Sequence, residues 1–402
     1  MSGQILQPVG LKSQPVNFQA LPPLALYVHV PWCVRKCPYC DFNSHEVRTG
    51  LPEMTYVEAL LRDLELALPQ IWGRRIYSVF IGGGTPSLLS GAAVAHLLTG
   101  LRMRLTLDMN AEITLEANPG AVEAERFAAY RDAGVNRLSL GIQSFNDAHL
   151  RALGRIHSAD EARRAIELAQ RYFDNFNLDL MYGLPEQTLA EAESDLRTAL
   201  AFAPPHLSCY HLTLEPNTLF AHQPPSLPDD DASYAMQQQI ETLLAERGYQ
   251  HYETSAFCQP KKNARHNLNY WRFGDYLGIG AGAHSKLSFP DRVIRQARFK
   301  QPQAYLDAVA QNTPIQTEQA LGRDDLAFEF MMNALRLNDG FASELFSERT
   351  SLPLLLIRRE LDEAERRGLL RQDGKQIAPT ELGRRFLNDL LELFLRENSQ
   401  DK

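Results

Sequence analysis

Three of the five cysteines of the chain fall in one short loop, as Cys33, Cys37 and Cys40. The spacing Cys-x3-Cys-x2-Cys sets three thiolates side by side, which suits a soft metal centre. Iron–sulfur clusters are held by cysteine thiolates, and a cubane ordinarily takes four. With three on offer, one iron would be left open to an outside ligand. Zinc is the rival, since the three thiolates with His45 would make a Cys3His site. A structural disulfide fits worst, because three neighbouring thiols pair badly and the chain reads as intracellular. Cys209 and Cys258 stand apart and read as core or incidental residues.

A second set of reactive residues stands at or near the ends of apolar runs. Gly82-Gly83-Gly84 closes one run, where glycines let a backbone approach a ligand and expose its carbonyls. The same glycines would also serve a tight turn. Glu116 closes the next run, and a carboxylate there costs desolvation unless it meets a partner. Gln143 closes a third. Asp179 interrupts a fourth, and Arg155 follows a short helical stretch where it could pair with an anion. Taken singly, each reads as a satisfied polar core residue. Together at the ends of successive runs they describe a ligand-lined mouth.

Regular elements must present these residues. Residues 24–30 read as a strand bounded by prolines, running straight into the cysteine loop. Residues 54–68 carry helical apolar spacing at Val57, Leu60, Leu61, Leu64 and Leu68. The pattern then alternates: strand 76–81, helix 90–105, strand 111–117, helix 122–133, strand 136–142. Helical stretches 146–153 and 158–172, strand 176–181, helix 189–202 and strand 207–214 complete it. Such alternation implies a parallel sheet with right-handed crossovers. About six βα units are too few for a closed eight-unit barrel, so the fold class is α/β, a partial (βα)6 TIM-like barrel. The rival doubly wound sheet lacks a Gly-x-Gly-x-x-Gly after its first strand.

Beyond Pro228 the texture changes. Residues 229–247 read as a helix and 252–257 as a strand, followed by a polar, aromatic-rich stretch and a glycine run. From about residue 301 the chain reads as helical. Residues 352–395 read as helix, hairpin (369–377, around Asp373-Gly374) and helix, a winged-helix-like pattern. The expected domains are a loose leader 1–23, the partial barrel 24–228, a barrel extension 229–300 and a mainly helical C-terminal domain 301–402.

Composition bounds the function. A hydrophobic content of 44% and a charged content of 22% are those of a globular protein. A net charge of −8 argues against a broad nucleic-acid surface. No apolar run approaches the ~20 residues of a membrane span. Residues 1–20 carry one lysine and no apolar core of a signal peptide. The expected compartment is the cytoplasm.

The cysteine loop after a first strand resembles the signature of radical S-adenosylmethionine (SAM) proteins. In that family the open iron is chelated by the amine and carboxylate of SAM, and reduction can release an adenosyl radical. The stretches GGGTPSLLS, EITLEANPG, GIQSF, LGRIH and NLDLMYGLP resemble the oxygen-independent coproporphyrinogen III oxidase branch, over nearly the whole chain. The resemblance implies a [4Fe-4S] cluster on Cys33, Cys37 and Cys40. It implies a SAM site lined by Tyr27, Tyr39, Gly83, Gly84, Thr85, Glu116, Gln143, Arg155 and Asp179.

That branch holds decarboxylating oxidases and heme chaperones. The oxidases carry a further cysteine two residues past the third, where this chain has Phe42. The stretch His266-Asn267-Leu268-Asn269-Tyr270-Trp271 is similar to the HNxxYW motif of the chaperones, which is associated there with heme. The resemblance therefore implies heme as a bound group, His266 as its ligand and a heme-accepting protein as partner. A neutral imidazole is a common axial ligand. Tyr270 and Trp271 offer flat apolar area, and Arg265 and Arg272 could meet propionates. His284, after a glycine run, is a second candidate, although that run also reads as a packing turn. The competing function is oxidative decarboxylation of coproporphyrinogen III. The sequence assigns no catalytic residue, does not identify the acceptor, and leaves a homodimer open.

Overall fold

The computed structural model describes residues 16–47, 50–120 and 125–395. Its strands, in chain order, are β1 (Leu24–Val30), β2 (Trp32–Cys33), β3 (His45–Glu46), β4 (Arg75–Gly83), β5 (Thr106–Ala117), β6 (Arg137–Gln143), β7 (Phe176–Tyr182) and β8 (His206–His211). They continue with β9 (Gln250–Glu253), β10 (Ala256–Cys258), β11 (Asp275–Ile279), β12 (His284–Phe289), β13 (Arg292–Arg298) and β14 (Ile315–Ala320). Twelve of them form one sheet in the order β14-β13-β12-β11-β1-β4-β5-β6-β7-β8-β10-β9.

The parallel core β1-β4-β5-β6-β7-β8 is the expected six-unit partial barrel. A seventh parallel strand, β11, lies on the far side of β1. The helices between strands cover the outer face. Helix Ala159–Tyr172 is typical: Ser158 and Glu161 close a capping box, and Ala162, Ala165, Ile166 and Ala169 bury one stripe.

The parallel strands alternate by face. On β6, β7 and β8, Leu138, Leu140, Leu178, Leu180 and Leu207 enter the core shared with the helices. The intervening Ser139, Asn177, Asp179, His206 and Ser208 turn inward and bond to one another. Asn177 Nδ2 donates to Ser139 Oγ at 2.8 Å and to Asp179 Oδ1 at 2.7 Å. His206 Nδ1 donates to Asn177 Oδ1 at 2.6 Å, and Tyr252 OH donates to His206 Nε2 at 2.9 Å. The barrel interior thus carries a hydrogen-bonded polar network, though Thr114 Oγ1 and Arg137 Nε lack partners in it, and the apolar core lies outside it.

Several expectations need correcting. Residues 252–257 are not one strand but two antiparallel ones, β9 and β10. The stretch read as glycine-rich and polar contains the meander β11-β12-β13, and β14 lies within the region read as helical. Short polar strands such as β14, Ile315–Ala320, carry too little apolar alternation to announce themselves. The expected helix 122–133 is seen as Phe127–Ala133, its first residues falling partly outside the described ones. Most of the expected leader, residues 1–15, also lies outside them. Its remainder is packed: Phe18 is buried and its N–H donates to the Pro290 carbonyl at 3.0 Å.

A second apolar cluster, centred on Phe330, Phe341 and Phe346, builds the C-terminal unit. It holds helix Arg323–Ala334, helix Arg358–Arg366 and the hairpin Leu370–Gln372 with Gln376–Pro379. Phe18, Phe273 and Val293 belong to the same cluster, so this unit is fastened to the extended sheet. Among the described residues no helix is long and apolar enough to cross a membrane.

Candidate metal centre and cofactor pocket

The cysteine loop leaves β1 and is folded back by the short parallel pair β2–β3. His45 N–H donates to the Pro31 carbonyl at 2.7 Å, and Val47 N–H to the Cys33 carbonyl at 2.9 Å. Tyr39 is the loop's apolar anchor, packed against the cluster of Leu153, Met181, Leu184, Leu212 and Phe220. All three thiols are free and partly buried. Burial pushes the Cys33 and Cys40 thiols up. Each of the three sulfurs has a polar partner: Thr85 Oγ1 at 3.4 Å from Cys33 Sγ, Arg155 Nη1 at 3.7 Å from Cys37 Sγ, and Ser44 Oγ at 4.0 Å from Cys40 Sγ. Such donors favour the thiolate form that a metal needs.

Among the described residues no three His, Cys, Asp or Glu side chains converge as they would on a single ion. His45 is engaged elsewhere, its Nε2 lying 3.3 Å from Asn43 Oδ1. This donor set, three thiols spread around one loop with hydroxyl and guanidinium donors beside them, fits a multi-iron cluster better than a lone zinc.

The strand-end residues gather beside the loop. Gly83 has φ +118°, and a Cβ there would stand 2.6 Å from the His29 ring. A Cβ on Gly84 would stand 2.6 Å from the Trp32 carbonyl oxygen. Both positions therefore require glycine. Gly83 N–H donates to Glu116 Oε2 at 3.1 Å. Burial, reinforced by the charge of Asp179, pushes the Glu116 carboxyl up to about 8. Asp179 is raised by burial too, against hydrogen bonds from Asn177 and Ser139. No cationic side chain makes an ion pair with Glu116 among the described residues, and the charge of Arg137 only partly offsets the cost of burying this acid.

Arg155 donates to Asn118 Oδ1 at 2.6 Å and to the Gly141 carbonyl at 2.9 Å, while its buried Nε has no partner. Burial opposes its charge, but Tyr39 and Cys37 outweigh that and hold it protonated. Gln143 ends β6 at φ +68°, which turns its amide back toward Gly141 and Arg155. Tyr27 OH donates to His29 Nδ1 at 2.8 Å, and His29 Nε2 donates to the Asn43 carbonyl at 2.9 Å. An orphaned guanidinium nitrogen, a glycine cradle and an acid raised by burial together fit a ligand carrying both charges, as SAM does.

Tyr27, Gly83 and Glu116 line a cavity of about 860 Å³ that borders the cysteine loop at Phe42, Asn43 and His45. Its other wall is formed by Tyr270, Tyr276 and His284 from β11, β12 and the helix before them. His266 does not line it. Within the stretch read as polar and aromatic-rich, His266 is buried on helix Arg265–Trp271. Its Nδ1 donates to Glu112 Oε1 at 3.2 Å, and its ring packs on Phe80 with centroids 4.2 Å apart. Arg265 is spent on the Asn110 carbonyl, and Trp271 lies under Arg336. Sequence reasoning did not single out Asn118, His29 or Asn43. Asn118, two residues after Glu116 and just ahead of Pro119, bridges Thr85 and Arg155, and its place at a strand end was the available signal.

Residues 27–199 match the model of the radical SAM superfamily, and residues 321–386 that of the HemN C-terminal domain. A heme chaperone HemW from Escherichia coli strain K12 is 52% identical over 379 residues, covering 94% of this chain and 99% of that relative. The HemW of Haemophilus influenzae is 49% identical over the same share of each chain. A mitochondrial radical S-adenosyl methionine domain-containing protein 1 from Bos taurus is 35% identical, covering 91% of this chain and 86% of its own. Among solved structures, the coproporphyrinogen III oxidase HemN of Escherichia coli superposes with a TM-score of 0.79 at 25% identity, over 93% of this chain and 90% of that one. With similarity of this extent running through both the barrel and the C-terminal unit, the chain belongs to the HemW family of the radical SAM superfamily.

Proposed function

We propose that this chain is a heme chaperone, binding heme and passing it to an acceptor protein, on a scaffold that holds a [4Fe-4S] cluster and SAM. One observation carries the choice of chaperone over decarboxylating oxidase. Phe42, 61% exposed and facing the cavity, stands where the oxidases of the branch have a further thiol. An apolar ring there adds wall area for a flat tetrapyrrole and removes a reactive group. Heme, a heme acceptor and a cytoplasmic site of action belong to this reading.

Within it, Cys33, Cys37 and Cys40 hold the cluster. Tyr27, Tyr39, Gly83, Gly84, Thr85, Glu116, Gln143, Arg155 and Asp179 surround SAM. Cluster and SAM together would supply one-electron cleavage of a sulfonium. The chain's own residues orient and charge-match: Glu116 for a cationic group, Arg155 for an anionic one. Although it does not line the cavity that Phe42 faces, His266 is the residue to which the family motif points as iron ligand. Its Nδ1–H is given to Glu112, leaving Nε2 as the nitrogen with a lone pair.

The test is transfer. Anaerobically purified protein loaded with heme should pass it to apomyoglobin, used as a generic trap, and should form no protoporphyrinogen from coproporphyrinogen with SAM and a reductant. Rapid decarboxylation, or heme that never leaves, would overturn the reading.

The Glu116 acid gives a pH signature. Uptake of a cation beside it favours the carboxylate, so binding below about pH 8 must release a proton. SAM affinity should therefore climb with pH by up to about tenfold per unit and level off above that point. E116Q should bind weakly and with a flat profile. Titration calorimetry in buffers of different ionisation enthalpy reads the proton directly; equal heats in all buffers would contradict the assignment.

A further inference from the structure

The cavity beside the cysteine loop has a β4–β5 side, with Gly83 and Glu116, and a β11–β12 side, with His284 and Lys300. The second side is left unused by everything described so far. It offers what an iron porphyrin requires: flat apolar walls, a cation for carboxylates and an imidazole with a free nitrogen. Tyr270 and Tyr276 meet edge to face with centroids 4.9 Å apart, and Phe42 and Phe80 add two more rings. Lys36 and Lys300 supply positive charge.

Three imidazoles line the cavity, and their engagements separate them. His29 uses both nitrogens, one toward Tyr27 and one toward Asn43. His45 is held by Asn43 Oδ1 and by the Lys300 backbone. His284 is exposed to the cavity and has no hydrogen-bond partner among the described residues. Burial and the charges of Lys300 and Arg295 lower its protonation, so its ring stays neutral with a lone pair to give. It also stands on a rigid element. His284 opens β12 and pairs with Ala297 on β13, and its carbonyl lies so close to Gly278 that a Cβ there would stand 2.0 Å away.

We propose that His284 is the axial ligand of a heme seated on the β11–β12 side of this cavity, with Lys36 and Lys300 meeting its propionates. The inference rests on the heme-carrier reading. It adds to that reading an open, exchangeable seat, which the buried His266 does not provide. Phe80 faces the cavity and covers the His266 ring, so a heme in the cavity meets His284 and not His266.

Hemin titration of the full chain, purified without oxygen, tests the seat. Wild type should show a histidine-ligated Soret band. H284A should lose it and bind hemin at least roughly tenfold more weakly. Added imidazole should restore the band in H284A, and H284M should move the ferric charge-transfer bands to those of a thioether ligand. Neither response is open to a merely structural histidine. K300E should weaken binding in a salt-dependent way. An H284A titration indistinguishable from wild type would overturn the proposal, most directly if H266A lost the band instead. A wild-type chain that gave no Soret shift at all would defeat the carrier reading itself, and this seat with it.

Discussion

Replacing any one of Cys33, Cys37 and Cys40 with alanine is expected to strip the protein of its iron and acid-labile sulfide. The loop presents three thiols and no fourth within the described residues, so one loss leaves two thiolates for a group that needs at least three. Visible absorption of anaerobic preparations should fall to the baseline, with iron and sulfide measured per chain. The remaining cysteines provide the control. Cys209 lies in the apolar core and Cys258 in a separate cluster near Tyr252, so C209A and C258A should keep full iron and sulfide. T85A should have an intermediate effect, because it removes a donor to Cys33 but no thiolate. A wild-type protein containing zinc and no sulfide would refute the cluster, and so would a C37A variant that kept its iron.

D275A is expected to be the most damaging substitution away from the metal centre. Asp275 opens β11 and is fully buried. It pairs with Lys286 at 3.0 Å and Arg74 at 2.8 Å, and accepts from both the N–H and the hydroxyl of Ser288 at 2.8 Å. Lys286 is itself buried on β12, its Nζ 3.9 Å from the centre of the Phe273 ring. Burial lowers the Lys286 ammonium, which among the described residues has Asp275 as its only carboxylate partner within 4 Å. Burial alone would raise Asp275, but two cations outweigh it and hold the carboxyl below the usual range.

Removing the carboxylate strands a buried ammonium, at a cost of roughly 3–5 kcal/mol. Denaturant melts of D275A should show that loss, and the β11–β12 amides should exchange fastest. The pH dependence has a definite sign. A depressed carboxyl contributes stability above its unfolded value of about 3.9, and this is lost as pH falls through the lower folded value. D275N should flatten that acid limb. A D275A chain as stable as wild type would show that the ion cluster is replaceable.

The sequence made the cysteine loop and the glycine turn plain because both rest on residue types with narrow uses. The six βα units were legible because their strands are short apolar runs divided by helices of regular period. The inward faces were not. In Arg137–Gln143 and Phe176–Tyr182, Ser139, Asn177 and Asp179 alternate with leucines, but most of these runs read as simply buried. Only the partners on neighbouring strands reveal a polar interior, and those partners are far away in sequence. Strands β12 to β14 escaped for a related reason: Arg298 and Lys286 lie in them fully buried, against the expectation that charge means surface. Each is rescued by a distant carboxylate, Asp63 for Arg298 and Asp275 for Lys286. The helix under His266 went unread because seven residues, Arg265–Trp271, make too few turns to show a period.

Asn43 follows the third cysteine closely, and its amide donates to the Ala281 carbonyl at 3.0 Å and the Lys300 carbonyl at 2.9 Å. A Cβ on Gly282 would collide with it, so the fit is tight. This side chain rivets the metal-bearing loop to the corner that carries His284. An immature chain, still waiting for its iron and sulfide, would leave that rivet on a slack loop and the cargo berth misshapen. If metallation tightens that loop, the cysteine variants described above should take up hemin more weakly than wild type.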